Sequence, residues 1–97
     1  MKSLREIKKT LATNKNELRK RYKIKEIGIF GSFVRGEYHN KSDIDILVDF
    51  YEVPDFIKFI EIETFLEKIL GVKVDLVRKP VLRTELKDKI LSEVILI

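Results

Sequence analysis

The stretch from Gly31 to Phe50 reads GSFVRGEYHNKSDIDILVDF. Its second half, Ile44 to Phe50, is a short apolar run broken by single aspartates, and it predicts a strand. Successive strand side chains leave on opposite faces. Asp43 and Asp45, two apart, therefore project from one face, and Ile44 and Ile46 from the other. Two carboxylates held this close repel, and burying them without a counter-charge is costly. An Asp-x-Asp pair of this kind is either ordinary surface charge or a place where cations sit.

Working outward, Ile24 to Phe30 predicts another strand, with Ile27 and Ile29 inward and the Gly31-Ser32 turn closing it. Upstream, Leu4, Ile7, Leu11, Leu18 and Tyr22 recur at helical spacing, which predicts one amphipathic helix over residues 4–22. Ser32 to Gly36 has room for about a turn of helix, and the polar Glu37 to Ser42 reads as loop. Downstream, Pro54-Asp55 opens a second long helix, with Phe56, Ile57, Ile60, Phe65, Leu66 and Ile69 on a broad apolar stripe and Gly71 as its stop. Val72 to Val77 is a third strand, and Pro80 opens a last helix through about Ser92. Val94 to Ile97 finishes that helix, adds an edge strand or covers a partner. The order is α-β-(short α)-β-α-β-α, a small α/β (α+β) arrangement with a mixed sheet, read as a single domain over residues 1–97.

Asp75 interrupts the third strand where an apolar side chain is expected. If that strand neighbours the second, Asp75 completes a carboxylate triad with Asp43 and Asp45 around two metal ions. The chain has no cysteine and one histidine, so thiolate and imidazole metal sites are excluded and any metal must take oxygen ligands. Magnesium is the expected cation, because it binds through one or two carboxylates together with substrate phosphates. Three carboxylates against two divalent ions leave about one positive charge for an anionic nucleotide.

The net charge of +4 hides an asymmetry: Lys2 to Lys25 carries ten Lys or Arg against two Glu, and Asp43 to Asp75 carries nine acids against three Lys. The basic amino end reads either as a solvated face or as a contact for RNA or an acidic partner, and direct nucleic-acid binding is the less favoured of these. No apolar run approaches the roughly 20 residues that span a bilayer, and the lysine-rich start lacks a signal peptide's apolar stretch. A cytoplasmic protein with no membrane partner is expected.

Gly-Ser pairs close turns everywhere, so the spacing matters more than the pair. Gly31-Ser32, ten residues from Phe33 to Ser42, then Asp43-Ile44-Asp45 matches the Gly-Ser-x10-Asp-x-Asp signature of the DNA polymerase β-like nucleotidyltransferases. With Arg35-Gly36, Ser42 and a later Asp75, the chain resembles the MNT (minimal nucleotidyltransferase) antitoxin family along essentially its whole length. The resemblance implies a polymerase β palm-like fold. It implies that Gly31 and Ser32 grip the phosphates of ATP, that Asp43 and Asp45 ligate two magnesium ions, and that Asp75 ligates one and helps deprotonate the acceptor.

The same resemblance implies a HEPN-domain toxin as partner and AMP transfer to one of its tyrosines, with release of pyrophosphate. Transfer to a small molecule or an RNA end, and a non-catalytic toxin-binding module, are the alternatives. Arg35 either neutralises a phosphate or pairs with a carboxylate such as Glu37. His39 reads as a solvated loop residue, Asp49 lies outside the site, and Lys73 and Arg78 flank Asp75 as phosphate contacts or strand-end charges.

Overall fold

A computed structural model describes residues 3–37, 43–81 and 84–97. The expectations for His39 and Ser42 therefore lie outside the described residues. The amino-terminal segment forms two helices, α1 (Leu4–Thr13) and α2 (Lys15–Tyr22), where the periodicity predicted one. Ser3 and Glu6 close the start of α1 as a capping box. Asn14 ends it by donating from both its backbone and its side-chain amide to the Thr10 carbonyl. That asparagine competes for helix carbonyls and breaks the run. The apolar spacing survives the break, since Ile7, Leu11, Leu18 and Tyr22 are all buried.

Strand β1 (Ile24–Phe30) leads through the one-turn α3 (Ser32–Arg35) to β2 (Ile44–Phe50). Helix α4 (Phe56–Leu70) then crosses over to β3 (Val74–Arg78). A 3₁₀ turn at Lys79–Val81 precedes α5 (Thr84–Glu93), which therefore begins later than Pro80. Of the three readings for the apolar tail, the edge strand is the one observed, as β4 (Ile95–Leu96). The four strands lie in the order β3-β2-β1-β4, with β2 and β3 parallel and the other pairs antiparallel. A parallel pair needs a crossover, and the 15-residue α4 supplies it. Among the described residues no helix is long and apolar enough to cross a membrane.

The core fills one face of the sheet. Ile27, Ile29, Ile44, Ile46, Val48, Val74 and Leu76 pack there against α1, α2 and α4. A bulge between Ile24 and Glu26 adds a residue to β1, so Ile24 and Ile27 both turn inward.

The stripe on α4 differs from the one expected. Ile62, Leu66 and Leu70 form its buried line, whereas Phe56 and Ile57 are 76% and 78% exposed. The helix is apolar on more than one side, so periodicity alone does not choose the buried face; the sheet does, and Phe59 is the first α4 residue packed against the core.

On the other face Gly28 makes room for the carboxy-terminal strand. A Cβ there would come within 2.7 Å of Val94 Cγ2 and 3.0 Å of the Ile95 carbonyl.

Candidate active site

The strand register brings the predicted acids together. Asp45 on β2 stands directly opposite Asp75 on β3, so both carboxylates leave the sheet side by side on the face away from the core. Asp43 lies one residue before β2, exposed. Asp45 is half-buried, and its carboxyl is pushed up to about 6. Burial is the largest cause; the neighbouring Asp75 carboxyl comes next, then Asp43, with Arg35 pulling the other way. Negative charge at this end of the sheet is therefore poorly compensated by protein groups.

The glycine turn belongs to the same place. Phe30 at the end of β1 pairs with Asp45, so Gly31 follows immediately beside the carboxylate. Gly31 adopts φ 81°, and a Cβ on it would collide with Asp45 Oδ2. Only glycine lets the chain turn this close to the acid. The next residue, Ser32, opens α3, and its hydroxyl makes no hydrogen bond with the described residues. The Gly31 carbonyl accepts from the Val34 and Arg35 amides at 3.1 and 3.2 Å.

Two findings alter the picture of a bare phosphate cradle. The Gly31 amide donates to Glu93 Oε1 at 2.9 Å, so it is already engaged. Arg35 bridges two carboxylates, with Nε donating to Glu37 Oε2 at 2.6 Å and Nη1 to both oxygens of Glu93 at 3.0 and 3.1 Å. The Arg35–Glu37 pairing expected as one of two possibilities is present. Glu93 was not singled out from sequence; a lone Glu before an apolar tail carries no spacing signal.

Glu67 was also missed. From α4 its Oε2 accepts the Val74 amide at 3.0 Å, which pins the start of β3 one residue before Asp75. The Ile44 amide donates to the Lys73 carbonyl at 2.9 Å and fixes the other side of that junction.

The remaining candidates separate. Asp49 accepts the Phe50 amide at 3.0 Å and lines a 260 Å³ cavity with Glu26, Leu47 and Lys79, further along the strand from the acid pair. Arg78 Nε is buried without a hydrogen-bond partner among the described residues. A roomier cavity of 340 Å³, lined by Arg21, Tyr22, Lys23, Pro54 and Lys58, shares no residue with the acid site.

Among the described residues no three acidic or histidine side chains converge as a ready-made metal cage. Still, the donor chemistry fits a hard cation: oxygen ligands only, two of them side by side on neighbouring strands, and one carboxyl whose charge is disfavoured by burial and by its acidic neighbours. Paired carboxylates beside a glycine turn, at one end of a mixed sheet, suit metal-assisted handling of a phosphate ester.

Comparison with known proteins identifies the family. The nucleotidyltransferase domain family matches residues 11–97, and the chain belongs to it. It is 50% identical over 95 residues to the protein adenylyltransferase MntA of Thermococcus cleftensis, covering 98% of this chain and 96% of that protein. Among solved structures, a chain of a toxin–antitoxin with AMP-PNP superposes with a TM-score of 0.69 at 29% identity, covering 87% of this chain and 69% of that one. A structure of a tri-AMPylated Shewanella oneidensis HEPN toxin in complex with MNT antitoxin matches with a TM-score of 0.59 at 28% identity, over 88% and 69% of the two chains.

Proposed function

We propose that this chain is the antitoxin of a HEPN/MNT pair, transferring AMP from ATP to a tyrosine of the toxin with the help of magnesium. The observation that carries the reading is the Asp45–Asp75 juxtaposition, with Asp45 raised to about 6 beside the Gly31 turn. An acid pair this short of positive charge is stabilised by a bound divalent cation, and the oxygen donors suit magnesium. Similarity to a protein adenylyltransferase and to a toxin–antitoxin with AMP-PNP supports the donor and the kind of acceptor.

In this reading Asp43, Asp45 and Asp75 would hold two magnesium ions. When bound, such ions would supply charge neutralisation at the phosphates. Ser32, with its hydroxyl unengaged by the described residues, binds the terminal phosphates. The tyrosine oxygen bonds to the α-phosphorus, the bond from that phosphorus to the oxygen leading to the β-phosphate breaks, and pyrophosphate leaves. The phenolic proton passes to the exposed Asp75 carboxylate.

Incubating the protein with labelled ATP, magnesium and its HEPN-domain partner is expected to label the partner on tyrosine. Asp43→Ala together with Asp45→Ala is expected to reduce labelling to background. Equal labelling by the double variant would overturn the catalytic assignment. Labelling of RNA or a small molecule in place of the partner would move the acceptor, and toxin neutralisation without labelling by either protein would make the chain a binding module.

A further inference from the structure

Glu93 lies at the carboxy-terminal end of α5, 62 residues along the chain from the glycine it touches. Strand β4 pairs with β1 through Ile29↔Ile95 and Gly28↔Leu96. That pairing brings the end of α5, two residues before β4, close to the end of β1. There the Glu93 side-chain carboxylate accepts the Gly31 amide at 2.9 Å. The same carboxylate accepts from Arg35 Nη1 at 3.0 and 3.1 Å, and its side chain is 17% exposed.

Gly31 is thereby held on both sides. Glu93 fixes its amide, and α3 fixes its carbonyl through Val34 and Arg35. The peptide between those two anchors has positive φ and abuts the Asp45 carboxylate, so rotation of Gly31 would move Ser32 and press on Asp45. Burial works against the Glu93 charge, but the Gly31 amide and Arg35 outweigh it and hold its carboxyl below the usual range. It therefore stays ionised near neutral pH, and the clamp is charge-assisted.

We propose that Glu93 is a positioning residue that holds the Gly31-Ser32 turn in its nucleotide-binding shape and makes the carboxy-terminal segment part of the nucleotide site. This rests on the reading of that turn as the triphosphate grip. Arg35 acts within the clamp, with carboxylates on both of its donating edges. The rival role for Glu93 is that of a competitor, an internal carboxylate that incoming phosphates must displace. The two roles predict opposite signs.

The test compares Glu93→Ala, Glu93→Gln and Glu93→Asp by amide hydrogen exchange at Gly31, by affinity for AMP-PNP with magnesium, and by thermal melting as a check on folding. Positioning predicts that Glu93→Ala loses protection at Gly31 and binds AMP-PNP about tenfold more weakly, the effect of one charge-assisted hydrogen bond. Glu93→Gln keeps an oxygen in reach of Gly31 and is expected to restore both readouts to within about threefold. Glu93→Asp, one methylene short, is expected to behave like alanine.

Unchanged or tighter AMP-PNP binding by the alanine or aspartate variant, or a glutamine variant as weak as alanine, would overturn the proposal while leaving the donor reading intact. A wild-type protein that binds no AMP-PNP would overturn both. Should Glu93→Ala fail to fold, the glutamine and aspartate variants, which differ in reach and charge, still decide the matter.

Discussion

Strand β2 carries two sets of side chains on one backbone, and they are stabilised in opposite ways. Ile44, Ile46 and Val48 have no exposed surface and lie under α1, α2 and α4. Asp45, between two of them in sequence, faces the other way, opposite Asp75 and with its carboxyl raised to about 6. The inner face gains from burial that any well-shaped apolar side chain would supply. The outer face stores repulsion that only a cation, a proton or solvent relieves. Because both sets are fixed by the same ladder, the stable face gives the strained face a rigid support.

Substituting the inner face tests the support first. Ile46→Ala should lower the unfolding free energy by about 2–5 kcal/mol, the usual range for truncating a fully buried aliphatic side chain. Denaturant titration measures it, and transfer activity per folded molecule should be little changed. A loss below about 1 kcal/mol would mean that the inner face is not the mechanical base of the site.

A smaller loss is expected from Gly31→Ala. The positive φ and the collision with Asp45 together should destabilise by about 1–3 kcal/mol. Unlike Ile46→Ala, this variant should also lose affinity for AMP-PNP with magnesium, because the turn cannot keep its shape. A variant that binds normally would separate the turn from the acid pair.

Asp45→Asn sharpens the contrast by reversing the sign. In the metal-free fold Asp45 takes up its proton near pH 6, against about 4 when unfolded. Between those values the folded state binds more protons than the unfolded state, so stability falls as pH rises through that window, and the deficit is fully present above it. Removing the charge should therefore stabilise the protein at pH 7, on the order of 1 kcal/mol after allowing for solvent screening, while abolishing transfer. The gain should disappear at pH 4. Thermal melts of wild type and variant without magnesium at both pH values check it; equal melting temperatures at pH 7 would mean that Asp45 is not strained.

The acid site was legible in the sequence to an unusual depth, because its parts are joined by local rules. Alternation along β2 fixes the face of Asp45, and an aspartate in an apolar run marks Asp75 before any pairing is known. The β1·β2 register then supplies a physical reason for the Gly-Ser-to-aspartate spacing, since Phe30 pairs with Asp45 and delivers Gly31 to its side. What escaped reading were contacts between distant segments. Glu93 reaches Gly31 and Arg35 from the last helix, and Glu67 reaches Val74 from α4; neither has a partner at a telling interval.

Helix boundaries failed where one residue competes with a period, as Asn14 does between α1 and α2. The stripe on α4 failed where several faces are apolar, so that Ile62, Leu66 and Leu70 rather than Phe56 and Ile57 meet the sheet.

By itself, then, the sequence determined the first three strands, the acids, the glycine turn and the oxygen-only donor set, because these follow from strand period, residue chemistry and spacing. Only the tertiary structure decided that β3 lies parallel beside β2 with Asp75 opposite Asp45, that the tail closes the far edge of the sheet against Gly28, and that Glu93 holds the turn. Those choices depend on which surfaces meet after the chain has crossed over itself, and no local pattern encodes that.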